Sequence, residues 1–103
     1  MHLQGDMMRV SEYLKNIIHD TARESFGQCE IILFGSRVDD QKKGGDFDIA
    51  LKGEMTKKRF EEGQIKFFKK LILKDLDLPI DLVFYNHVNK ELQKEIDSKG
   101  VKL

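Results

Sequence analysis

FGSRVDDQKKGGDFDIAL, residues 34–51, decides how this chain folds, because its two flanks and its middle follow different patterns. Upstream it continues the run CEIILFG, in which Ile31, Ile32, Leu33 and Phe34 form a short, partly β-branched apolar stretch closed by Gly35. That is the pattern of a strand covered on both faces. Downstream, DFDIAL alternates: Asp46, Asp48 and Ala50 fall on one face of a strand, and Phe47, Ile49 and Leu51 on the other. The intervening SRVDDQKKGG is polar and closes on two glycines, which predicts a loop.

Working outward, Val10, Leu14, Ile17, Ile18 and Ala22 recur at helical spacing and predict an amphipathic helix over roughly residues 6–25, stopped by Gly27. Thr56 is placed to cap a helix over 57–74, with Phe60, Phe67 and Leu71, joined by Phe68 and Ile72, on its buried side. Gly63 shares that face and is expected to allow a close approach to the sheet, at a cost of about 1 kcal/mol relative to Ala. LPIDLVFY predicts a third strand with Pro79 at its edge or start. Asn86 is expected to cap a last helix running through Val88, Leu92 and Ile96 to Gly100, and the final VKL to add a short edge strand. The order α-β-β-α-β-α predicts an α/β (α+β) fold, a small mixed sheet with helices packed against it. The helix between the second and third strands lets them be parallel neighbours. Asp48 and Asp81 then meet at the same end of the sheet.

The chain's 103 residues predict one domain, 1–103, with a modest core. Its 18 basic and 18 acidic side chains cancel, so the basic excess of a general nucleic-acid binder is missing. A single cysteine, Cys29, suits a reducing compartment. No apolar run approaches membrane-spanning length, and MHLQGDMMRV lacks the apolar core of a signal peptide. The expectation is a cytoplasmic protein with no membrane partner.

Three features converge on one chemistry. Gly35 at the end of a strand lets backbone approach a ligand closely, and the N–H groups of such a turn, with the Ser36 hydroxyl, make an anion-binding concavity. Asp46 and Asp48 share a strand face, within reach of one cation of the hard, oxygen-loving kind, Mg²⁺. Asp81 interrupts Leu-Pro-Ile-Asp-Leu-Val-Phe, and a buried lone carboxylate there would be costly. Either a basic side chain pairs with Asp81, or a cation shared with Asp46 and Asp48 does. Each feature alone is weak; a common metal accounts for all three.

FGSRVDDQKKGGDFDIAL, with strand, Gly-Ser, nine residues and Asp-x-Asp, followed by Asp81 on a later strand, resembles the signature of the DNA polymerase beta-like nucleotidyltransferases. Ser-Arg after the glycine and the small size resemble its minimal nucleotidyltransferase (MNT) branch. One departure stands out: many close relatives read Ser-Arg-Ala-Arg-Gly where this chain reads Ser36-Arg37-Val38-Asp39-Asp40. The resemblance implies transfer of a nucleoside monophosphate, AMP from ATP, to a hydroxyl. It implies two Mg²⁺ ions, or Mn²⁺ in their place, held by Asp46 and Asp48, with Asp81 on the ion nearer the nucleophile, whose proton Asp81 can accept. Gly35 and Ser36 would hold the β- and γ-phosphates. Arg37 either neutralises triphosphate charge or pairs with a loop acid. It further implies a small helical HEPN protein as partner, in a toxin–antitoxin pair. The sequence leaves homo-oligomerisation open.

His2, His19 and His87 show no metal-ligand spacing and are expected at the surface or in caps. Cys29 is expected to be a small packed residue, and Lys57, Lys58 and Arg59 a solvated face. Lys42 and Lys43 lie between the two halves of the motif, where loop lysines are ordinarily solvated. The competing reading is a non-catalytic nucleotide-binding module that neutralises or regulates a partner by contact. Three intact aspartates weigh against it.

Overall fold

The computed structural model describes residues 12–35 and 47–103. In chain order the elements are α1 (Glu12–Phe26), β1 (Glu30–Phe34), β2 (Phe47–Lys52), α2 (Lys57–Leu73), β3 (Ile80–Phe84), a 3₁₀ turn (Tyr85–His87), α3 (Lys90–Lys99) and β4 (Val101–Lys102). The strands form one mixed sheet in the order β3-β2-β1-β4. β1 runs antiparallel to β2 and to β4, whereas β2 and β3 are parallel, as the α2 connection allows.

Alternation along the strands builds two cores. Ile31 and Leu33, Phe47, Ile49 and Leu51, and Ile80, Leu82 and Phe84 all face α1 and α2. There a column of rings runs from Phe26 to Phe60 (centroids 5.6 Å apart) and on to Phe84 (5.2 Å). On the other face Ile32, Phe34 and Ala50 are covered by Ile96 of α3, with Val83, Tyr85, Val88 and Leu92 around them. β1 is thus apolar on both faces because helices cover both.

Thr56 caps α2 as expected, its hydroxyl accepting from the Arg59 N–H at 3.0 Å. Phe60, Phe67 and Leu71 are buried and Phe68 packs on the core, but Ile72 is 72% exposed and belongs to the solvent side of α2. The last helix is capped by Asn89, not Asn86: the Asn89 side chain accepts from Leu92 N–H at 2.8 Å, while Asn86 sits in the 3₁₀ turn that redirects the chain. Arg59 is not a purely solvated residue either, since its guanidinium donates to the Ser25 carbonyl on α1 (3.3 Å). Lys74 reaches the same helix, donating to the Thr21 hydroxyl at 2.7 Å. Of the predicted first helix, the part before Glu12 lies outside the described residues.

Gly63 does permit a close approach, but to α1 rather than to the sheet. A Cβ there would overlap the ring edge of Phe26 and stand 3.1 Å from its Cγ. Phe26 is 4% exposed and wedged between Phe60 and Phe67, so it has nowhere to retreat. Gly63→Ala is therefore expected to destabilise the fold by about 1–3 kcal/mol through overpacking, although alanine is the better helix former by about 1 kcal/mol. A urea titration checks this; a midpoint equal to or above the parent's would show that α1 and α2 have slack at this crossing.

Candidate functional site

The end of the sheet where β1 finishes and β2 and β3 begin gathers the described members of the motif. In the parallel ladder Asp48 is the register partner of Asp81, and in the antiparallel ladder it is the partner of Phe34. Register partners on neighbouring strands lie about 4.8 Å apart with side chains on the same face. The two carboxylates are therefore neighbours, as the sequence predicted. The pairing is pinned just before Asp48, where the Phe47 N–H donates to the Pro79 carbonyl at 2.7 Å. Pro79 thus contributes the one ladder group that it retains, its carbonyl.

Gly35 follows β1 immediately, with φ at +81°. That left-handed backbone turns the chain out of the strand at the level of Asp48, and only glycine adopts it without steric cost. A Cβ at position 35 would overlap the Asp48 carboxylate. Gly35, Asp48 and Asp81 are thus brought together. Ser36, Arg37 and Asp46 lie outside the described residues, as do Lys42 and Lys43.

Asp81 does not occupy the interior position that its apolar neighbours in sequence predict. Asp81 is exposed, so the cost of burying a carboxylate does not arise and no buried salt bridge is needed to explain it. The reason is topological. β3 is an edge strand whose Ile80, Leu82 and Phe84 turn inward, leaving Asp81 on the opposite face, while the apolar cover supplied by α3 on that face begins at Val83. Asp48, on an inner strand, is half-buried. This asymmetry, one sheltered carboxylate beside one open to solvent, suits a cation held at the rim of the sheet and approached from outside.

Other reactive groups lie elsewhere. Cys29 is buried, and its thiol is pushed above its ordinary pKa by desolvation, partly offset by Arg23, which leaves it a poor nucleophile. His19 pairs with Asp20 at 3.2 Å, and His87 stacks on Phe84 at 4.7 Å between centroids. An open groove at the opposite end of the sheet is lined by Glu30, Lys52, Tyr85 and Gln93, among others. Its groups are engaged structurally. The Tyr85 hydroxyl donates to both Asp97 carboxylate oxygens (2.9 Å each), Gln93 donates to the Tyr85 carbonyl (2.8 Å), and Lys52 lies over the Tyr85 ring (4.6 Å). These contacts fasten α3 to the sheet. Nothing in the sequence spacing announced them, since Tyr85 and Asp97 belong to different elements.

A family model described as "Polymerase beta, Nucleotidyltransferase" matches residues 16–103, which include Gly35, Asp48 and Asp81. The chain belongs to the polymerase beta nucleotidyltransferase family. Comparison with curated proteins finds no significant match. Among solved structures, this nucleotidyltransferase is similar to a toxin–antitoxin crystallised with AMP-PNP (22% identity, TM-score 0.63, covering 85% of this chain and 70% of that one). It is also similar to a mutant MntA–HpeT toxin–antitoxin (23%, 0.61, 85% and 70%). A third is the complex of a tri-AMPylated Shewanella oneidensis HEPN toxin with its MNT antitoxin (22%, 0.58, 85% and 66%). At these identities the likeness is one of fold. No helix among the described residues is long and apolar enough to cross a membrane.

Because Asp81 is exposed and beside Asp48, its charge is a source of repulsion in the metal-free protein. Asp81→Asn is expected to leave metal-free stability unchanged within about 0.5 kcal/mol, or to raise it slightly. Denaturant titration in the presence of a chelator measures this, and a loss of about 3 kcal/mol or more would restore the salt-bridge explanation.

Proposed function

We propose that this chain is a metal-dependent nucleotidyltransferase, one catalytic domain over residues 1–103, that transfers AMP from ATP to a hydroxyl group on a HEPN-type partner protein and releases pyrophosphate. The observation that carries the reading is the parallel register that sets Asp48 beside Asp81, with the left-handed Gly35 at the same level. Membership of the family supports nucleotidyl transfer as the reaction class. The likeness to MNT–HEPN complexes, one of them with an AMPylated toxin, supports the partner and the transferred group. Another of those complexes carries two aspartate-to-glutamate changes separated by one residue, the spacing of Asp46 and Asp48 here.

The donor set fits the implied ion. Hard carboxylate oxygens, with substrate phosphate oxygens completing the shell, are what Mg²⁺ takes, and Mn²⁺ accepts the same ligands. Asp46, Asp48 and Asp81 would hold it; once bound, it supplies charge neutralisation to the attacking and leaving oxygens of an in-line displacement at the α-phosphorus. Asp46 precedes Asp48 by two residues in the sequence, the spacing at which a continuing strand would present both carboxylates on one face. Asp81, the exposed member, is the carboxylate an acceptor hydroxyl reaches from solvent, and it takes the proton as the oxygen attacks. Gly35 would leave room for the β- and γ-phosphates, and the next residues in the sequence, Ser36 and Arg37, would offer a hydroxyl donor and a guanidinium.

Incubation with α-labelled ATP and Mg²⁺, with and without a co-purified HEPN-type partner, tests the reaction. Label is expected on the partner, dependent on Asp48. Equilibrium supplies an independent check. With Mg²⁺ and ATP at 100 times the dissociation constant, the parent should gain about 2.7 kcal/mol of stability. Asp48→Asn should lose most of that gain, and an undiminished gain in the mutant would remove Asp48 from the ligand set.

A further inference from the structure

Gly35 and Gly27 adopt nearly the same left-handed backbone, φ +81° and +82°, in opposite surroundings. A Cβ on Gly27 would meet nothing nearer than the Arg59 Nη2, 3.9 Å away, an ordinary contact. A Cβ on Gly35 would collide with Asp48 Oδ2 and stand 3.1 and 3.2 Å from Asp48 Cγ and Cβ. Rotating the carboxylate about χ2 clears the oxygen but not the other two atoms. Cβ is fixed by the backbone of β2, which is held on one side by the ladder to β1 and on the other by the ladder to β3. The strand cannot retreat without loosening both ladders, and a change of χ1 would move the carboxylate to a new place.

We propose that Gly35 is a positioning residue for Asp48: the bare Cα of Gly35 is the seat against which the carboxylate rests, and any side chain at position 35 displaces it. This deepens the proposed function and rests on Asp48 being a metal ligand there. It adds a consequence that phosphate binding by the loop does not have. Filling position 35 weakens divalent-cation binding before any nucleotide is present.

The test compares the parent with G27A, G35A, D48A and G35A/D48A, by metal-free thermal melts and by Mn²⁺ binding without nucleotide, followed by electron paramagnetic resonance. G27A measures the left-handed strain alone. G35A should melt at least about 5 °C below G27A, and in the D48A background its cost should shrink towards that of G27A. Mn²⁺ affinity should fall on the order of tenfold in G35A, as when a group that orients a ligand is disturbed, and stay at the parent value in G27A. Equal melting losses in G27A and G35A, with no relief by D48A, would overturn the proposal, as would unchanged Mn²⁺ affinity in G35A. Should G35A not fold at all, recovery of folding in G35A/D48A supports the seat, and failure of the double variant beside a folded D48A refutes it. A parent that binds no Mn²⁺ sinks the metal assignment of the proposed function, and the melts still decide whether Asp48 rests on Gly35.

Discussion

The parallel pairing of β2 with β3 is the constraint on which the rest of the molecule depends. It joins strands separated by a helix, so its closure commits α2 to one face of the sheet and sets the depth of the core beneath it. The same register places Asp48 opposite Asp81. A shift of one residue would turn Phe47, Ile49 and Leu51 out of the core and carry Asp48 to the other face. Burial of those three side chains, all below 5% exposed, therefore guards the alignment of the two carboxylates. Stability and site geometry share one register.

Among the described residues, the candidate site lies where the apolar cover of α3 gives out. α3 closes the second face over Ile32, Ala50 and Val83, fastened by the hydrogen bonds of Tyr85 and Gln93, and its apolar cover leaves Asp81 outside. The side facing α1 and α2 is sealed by a stack of phenylalanines and a glycine crossing, whereas Asp81 on the opposite face is exposed.

Several elements were legible directly. The capping threonine, the alternation from Phe47 to Leu51, the apolar run before Gly35 and the short edge strand at Val101–Lys102 each carry a local signal, and each stands in the described residues as read. Where the reading failed, the deciding contact was remote. Asn86 and Asn89 are both plausible caps by residue type, and the 3₁₀ turn after β3 selected the second. Ile72 fits a helical stripe but falls beyond the reach of α1 and the sheet. Asp81 lies in an apolar run that looked interior, yet an edge strand offers its alternate residues to solvent.

The order of residues places the strands and most of each helix, lets the two aspartate-bearing strands be parallel neighbours, and supplies the residue types suited to a divalent cation. Those follow from periodicity and from charge, which are properties of the chain read one residue after another. The packing of separate elements decides that a Cβ at Gly63 would meet Phe26, that Asp81 is exposed, and that a Cβ at Gly35 would meet the Asp48 carboxylate. Each of these is a distance between atoms brought together by the packing of separate elements. No local spacing encodes such a distance until the sheet and its helices have closed.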